Sequence, residues 1–237
     1  MKSLIFFILF CNIAIISCTK EKLTETSFSG LTPFNKIEFN SSFDVYLTED
    51  STYAIKIIAN EDVIKNIHFK IDNNILTFNN ETNYKWVSPT KNKIEIYIHS
   101  KQLSKIDANQ TCNIKTLNPI TSDEFGIIFH NKANEANLEL NCKKVYYWND
   151  FPCGGRLTLR GKTDAINIWN TGLTTVDAKD LTANIAHVEN KSNGDCIMTI
   201  MNKLEYSIYG SGNIQLYGSP AEIIKILVSS SGRLIQY

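Results

Sequence analysis

The side chains able to do chemistry in this 237-residue chain are few and scattered. Its four histidines, His68, His99, His130 and His187, each stand apart in strand-like segments. A general base must sit within hydrogen-bond reach of the proton it takes, and nothing in the spacing supplies one with a nucleophile. They are expected to be surface or locally hydrogen-bonded residues. Of the six cysteines, Cys112, Cys142, Cys153 and Cys196 lie in the body of the chain, with no Cys-x-x-Cys pair and no histidine at ligand spacing. No metal site is therefore expected. Cys142 and Cys153 are close enough for a short disulfide loop in an oxidising compartment. Cys196 falls at an inward strand position and reads as a small core hydrophobe. Asp164, Asp177, Asp180 and Asp195 fall at different phases of a repeat described below, and Arg156 and Arg233 share a phase but lie several turns apart. Sugar-cleaving chemistry needs such groups converging on one face. Solvated outward positions are the expectation, and a carbohydrate-active β-helix enzyme, a polysaccharide lyase or hydrolase, is the alternative. The chain has no G-x-S-x-G, phosphate loop or dinucleotide fingerprint. Its "GSGNI" lacks the long following helix that phosphate binding exploits. No catalytic residue and no cofactor are expected.

Binding chemistry is easier to place. In "VYYWNDF" the residues Tyr146, Tyr147, Trp148 and Phe151 form an aromatic cluster beside Asn149 and Asp150. Exposed rings of this kind stack on sugars while neighbouring amides and carboxylates bond the hydroxyls. Strand alternation lets only part of the cluster face outward, and packing into the core at a corner is the competing reading. Lysine plus arginine and aspartate plus glutamate number 24 each. With no global field, nucleic acid is not an expected partner. The triplet "DST" at Asp50 resembles an acceptor for O-linked glycans in Bacteroidetes-type envelope proteins.

The N-terminus carries an address. "MKSLIFFILFCNIAIISC" places one lysine before an apolar run from Leu4 to Ile16, too brief for a comfortable ~20-residue membrane span. The run ends at Cys18, where the polar "TKEKLTET" begins, and "IISC" resembles the lipobox of bacterial lipoproteins. Residues 1–17 then form a lipoprotein signal peptide, Cys18 carries the lipid, and residues 18–30 form a polar tether. A plain secretory signal and an uncleaved anchor are the other two readings. Two or three acyl chains would hold the protein stably, at about 0.8 kcal/mol per buried CH₂.

The elements that must position these residues are strands. Apolar content of 43% suffices for a real core. From residue 31 to about 105 the sequence alternates with period two: Ile37 and Phe39; Phe43, Val45 and Leu47; Ile55 and Ile57; Ile94, Ile96 and Ile98. Asn/Asp-rich breaks separate the strands, and "NEDVIKNI" holds one short helical possibility. From residue 106 onward a unit recurs, starting at Ala136, Gly155, Thr174, Gly194, Gly212 and Gly232, in steps of 19, 19, 20, 18 and 20 residues. A second strand series, "AINIW", "TANIA", "LEYSI" and "EIIKI", interleaves with it. A fixed period with two strands per unit predicts a coil of stacked turns, with glycine at the corners for positive φ. An antiparallel sandwich is the rival. The last unit, "SSSGRLIQY", presents an open β-edge, to be shielded by a strand folding back or by a second molecule.

The stretch "FNKIEFNSSFDVYLTEDSTYAIKIIANEDVIKNIHFKIDNNILTF" resembles the start of the putative auto-transporter adhesin, head GIN-domain family. "SGNIQLYGSPAEIIKILVSSSGRL" is similar to that family's glycine-serine-glycine segments. The resemblance spans residues 31–237, and its motifs are structural. It implies an all-β, right-handed parallel β-helix-like coil following an N-terminal region of β-strands. It also implies a secreted or lipid-anchored envelope protein, in the outer membrane of a Bacteroidetes-type bacterium. Such a protein would work by binding or scaffolding, through contact with a glycan or an envelope protein, and would not be an enzyme.

Overall fold

A computed structural model describes residues 22–83, 93–130, 133–150 and 152–237. The signal segment, Cys18 and Phe151 lie outside the described residues. The chain is nearly all strand and winds into a β-solenoid of about six turns with N-terminal strands at one end. Those strands are β1 (Leu23–Ser29), β2 (Lys36–Phe39), β3 (Phe43–Glu49), β4 (Ala54–Asn60), β5 (Ile67–Asp72), β6 (Ile75–Asn80) and β7 (Glu95–Ser100). One short helix, α1 (Glu61–Ile64), interrupts them within the expected "NEDVIKNI". It starts where the Asn60 side chain accepts the Asp62 amide at 3.1 Å, an N-cap. The coil continues through β8 (Lys105–Ala108), β9 (Cys112–Thr116), β10 (Glu124–Phe129), β11 (Asn134–Asn149), β12 (Gly155–Gly172), β13 (Thr175–Ser192) and β14 (Cys196–Ile208). It ends with β15 (Ile214–Tyr217), β16 (Glu222–Val228) and β17 (Leu234–Gln236).

Parallel stacking of successive turns builds two columns. The first runs β6–β2–β8–β10, then through the second halves of β11 to β14, to β16. The second runs β7–β3–β9, then through the first halves of β11 to β14, to β15 and β17. Alternation along each strand turns one set of side chains inward. Leu157, Val176, Cys196 and Ile214 follow one another up the second column and are fully buried. Each such side chain contributes about 1.5–3 kcal/mol by leaving water.

Three expectations change. The coil does not begin near residue 106: Lys36 of β2 pairs with both Ile75 of β6 and Lys105 of β8, so β2 and β3 already form a turn within the stack. The excursion through β4, α1 and β5 breaks the period in sequence while leaving the stack continuous in space. Residues 23–29, expected within the polar tether, form β1 and pair antiparallel with β4. An unpaired β4 edge would leave its backbone groups open, and Phe28 secures the strand edge-on against Phe69, ring centres 4.9 Å apart. Finally, Gly155 pairs with Asn134 and not with Ala136. The first repeat step is two residues longer than expected, a slip that preserves the inward face because the strand period is two.

Corners use small residues for two different reasons. Gly155 has φ +107°, a left-handed backbone. Gly212 is needed for space: a Cβ there would collide with the carbonyl oxygen of Gly194 on the turn before. At the N-terminal end, β5 and β6 join through Asn73 and Asn74, both at positive φ, as a two-residue hairpin turn requires. At the other end, among the described residues, β16 pairs with β14 and β17 with β15. Lys225 takes the inward-row position opposite Tyr206, and the register shifts just beyond it. A charge at an inward position and a bulge are both devices that blunt an edge strand.

Candidate functional site

Alternation in the second half of β11 divides the aromatic cluster. Tyr147 points into the core, 0% exposed, with its ring edge-on to Phe129 at 5.6 Å. Burial pushes its phenol well above the ordinary range. Tyr146 and Trp148 face outward on the first column, Trp148 38% exposed and Tyr146 half-buried. The parallel register sets Trp148 directly beside Trp169 of β12, a residue the sequence reading did not single out. The signal was present: the dipeptide Trp-Asn occurs at Trp148–Asn149 and again at Trp169–Asn170. Each tryptophan faces out and each asparagine faces in.

The inward asparagines fix the corner that follows. Asn149, Asn170 and Asn190 are stacked on successive turns and buried. The Asn170 amide donates to the Thr174 carbonyl at 2.8 Å and to Asn190 Oδ1 at 3.3 Å. That of Asn190 donates to the carbonyls of Gly194 and Gly212, both at 3.1 Å. Asn149 Oδ1 accepts the Thr171 amide at 2.7 Å. Corner backbone groups that water cannot reach are thereby satisfied, and the end of the aromatic strip is held in register.

On the outer face each tryptophan stands beside a histidine set between two carboxylates. His130 packs edge-on to Trp148 at 5.4 Å, with Nε2 3.0 Å from Asp107 and Nδ1 2.5 Å from Asp150. Lys105 reaches Asp107 at 2.9 Å. His187 lies 6.4 Å from Trp169, centre to centre, and 3.6 Å from both Glu189 and Glu205. Burial opposes charge on Glu189, but Lys191 at 3.1 Å and His187 bring its carboxyl below the ordinary value. Lys203 at 2.9 Å lowers that of Glu205. The strip offers carboxylate acceptors, ammonium donors and ring faces side by side. Upstream on the same strands, where the chain turns from the second column into the first, lies a polar groove of about 600 Å³ lined in part by Asp123, Lys143, Asp164, Thr182 and Asn184.

The remaining candidates are dispersed. Asp164 accepts from Asn184 at 3.4 Å, Asp177 pairs with Arg156, and Asp180 lies 3.8 Å from Arg160. Asp195 accepts from the Asn213 amide and from Gln215, both at 2.7 Å. These acids secure neighbouring turns and do not meet at one point. Arg233 sits on the last turn, its amide donating to Asn213. His99 bonds Asp50 at 2.6 Å, and His68 lies 3.8 Å from Glu81. The Cys142 and Cys153 thiols donate to different carbonyls, of Ile120 and Phe129, each at 3.3 Å, and no bond joins them. Burial pushes the Cys196 thiol up to about 12. Among the described residues no group of three or more His, Cys, Asp or Glu is placed to hold a metal ion.

A parallel two-column solenoid bearing an outward aromatic strip defines a protein built to present surface. The chain belongs to the family described as "Putative auto-transporter adhesin, head GIN domain", whose model matches residues 33–220. Its fold is similar to that of a putative adhesin from Bacteroides fragilis, with TM-score 0.82 at 19% identity over 92% of this chain and 98% of that one. A putative adhesin from Parabacteroides distasonis matches with TM-score 0.66 at 17% identity, covering 92% and 98%. A protein of that organism described as a putative lipid binding protein gives 0.64 at 14% identity, covering 91% and 96%. The search of curated proteins found no match. Family and fold together indicate a binding module of the cell surface or envelope.

Proposed function

We propose that this protein is a lipid-anchored envelope module that binds glycans, without catalysis, through the outward strip of Tyr146, Trp148 and Trp169. The observation that carries this reading is the pairing of Trp148 with Trp169 on adjacent parallel strands, each flanked by a histidine between carboxylates. Ring faces stack on the apolar faces of sugars, and ionised acceptors with nearby amides take the hydroxyls. The anchor is Cys18. Strand β1 lies at the end of the second column, so a lipid a few residues upstream holds that end towards the outer membrane and leaves the solenoid wall free. The dispersal of Asp164, Asp177, Asp180 and Asp195 speaks for binding over hydrolysis or elimination, both of which need convergent groups.

Affinity electrophoresis tests this directly. The soluble chain from Leu23 onward is run through gels containing β-glucan, mannan, pectin or peptidoglycan fragments. At least one polysaccharide is expected to retard the protein, and Trp148→Ala to abolish the retardation without changing the melting temperature. Migration unaffected by every polysaccharide, or retardation that survives loss of both tryptophans, contradicts the reading.

A further inference from the structure

The strip and the corner groove are joined by a path along β12. Outward positions on this strand run Ala165, Asn167, Trp169, and the register places the first two between larger neighbours. Ala165 lies between Lys144 and Ile185, and Asn167 between Tyr146 and His187. Tyr146 does not close this gap. Its ring lies over Gly126 of β10, on the side away from β12, where any Cβ would clash with it. Gly126 thus lets the ring lie flat. A trough floored by Ala165 and Asn167 therefore follows β12, between Lys144 on β11 and Ile185 and His187 on β13. It starts in the corner groove at Asp164, where Asn184 bonds the carboxylate at 3.4 Å, and it stops against Trp169. Five residues of strand separate the two ends, roughly 16 Å at about 3.3 Å per residue.

We propose that the ligand of this site is a linear oligosaccharide lying along β12, with one sugar on Trp169 and the chain extending over Asn167 and Ala165 into the corner groove. This rests on the reading of the aromatic strip as a glycan contact. A single sugar ring cannot span that distance. The path offers hydrogen-bonding groups at both ends and in its middle: Asp164, Asn184 and Thr182 in the groove, Asn167 halfway, and Glu189 beside Trp169. That spacing suits a chain of linked rings, each bearing hydroxyls.

The test is chain-length dependence, measured by calorimetry on the soluble chain. The probes are glucose, mannose and their linear β-1,4-linked oligomers from dimer to hexamer. Affinity is expected to rise by at least about tenfold from dimer to hexamer. Ala165→Phe, which fills the trough from its solvent side, should bring the hexamer down to dimer affinity. Asn184→Ala should weaken only the longer oligomers. Trp169→Ala should weaken all of them. Hexamer binding by Ala165→Phe equal to the wild type, or affinity independent of length, overturns the trough and leaves the strip standing. Failure of the wild type to bind any probe overturns the trough, and the strip then stands or falls on the affinity electrophoresis above.

Discussion

At the scale of single residues, the chain uses histidine–carboxylate pairs where the sequence showed only isolated histidines. Asp50 is the most perturbed of the partners: bonds from His99 and Thr52 hold its carboxyl at about 2, against an ordinary 3.8. A carboxyl depressed in the folded state stabilises the fold fully above its unfolded value, and that contribution is lost as pH falls towards the folded one. The Asp50→Asn variant should therefore be less stable than the wild type at pH 5, by a few tenths to about 1 kcal/mol for a pair this exposed. The deficit should shrink between about pH 4 and pH 2. Denaturant titrations across that range check it, and a deficit constant with pH would assign the stabilisation to something other than the charge. Residue roles were legible where a period of two applied. That rule divides Tyr146 and Trp148 from Tyr147, but only the register, a long-range fact, brings Trp169 to Trp148.

At the scale of elements, the repeat of 18 to 20 residues was legible from Gly155 onward because every turn there keeps the same pair of strands and the same small corner. It failed in two places for identifiable reasons. Between β11 and β12 the step gains two residues, invisible to a pattern whose period is two. Between β3 and β8 the chain leaves the coil for β4, α1 and β5 and returns through β6 and β7, so neighbours in space are 69 residues apart, as Asn109 and Asn40 are. No local periodicity reports that. The phase of the last turns is open to test. Leu216 is buried beside Met198, whereas Gln215 faces out and bonds Asp195 at 2.7 Å. Leu216→Ala should cost about 2–5 kcal/mol, and Gln215→Ala about 0.5–1.5 kcal/mol for one polar contact. Equal losses in a denaturant titration would contradict the assignment of faces.

At the scale of the whole molecule, the solenoid forms a wall of stacked turns. The stacked turns are stabilised by contacts between neighbours, as in other solenoids, and their outer surface is left for recognition. The antiparallel strands β1, β4 and β5 flank the N-terminal end, the end from which the lipid anchor on Cys18 would extend. Cys18→Ala should move the protein from the membrane fraction to the soluble envelope fraction, and unchanged detergent partitioning of the variant would remove the anchor from the account. The architecture was readable in the sequence, because a repeat is a local pattern. The aromatic strip was only half readable, because it is assembled from strands one turn of the solenoid apart. The measurement that bears most directly on the central claim is a glycan array comparing the wild type with a Trp148→Ala/Trp169→Ala double variant of equal melting temperature. Binding of the wild type to a defined set of glycans, lost across the whole set in the double variant, is the predicted result. Identical profiles for the two proteins would contradict it.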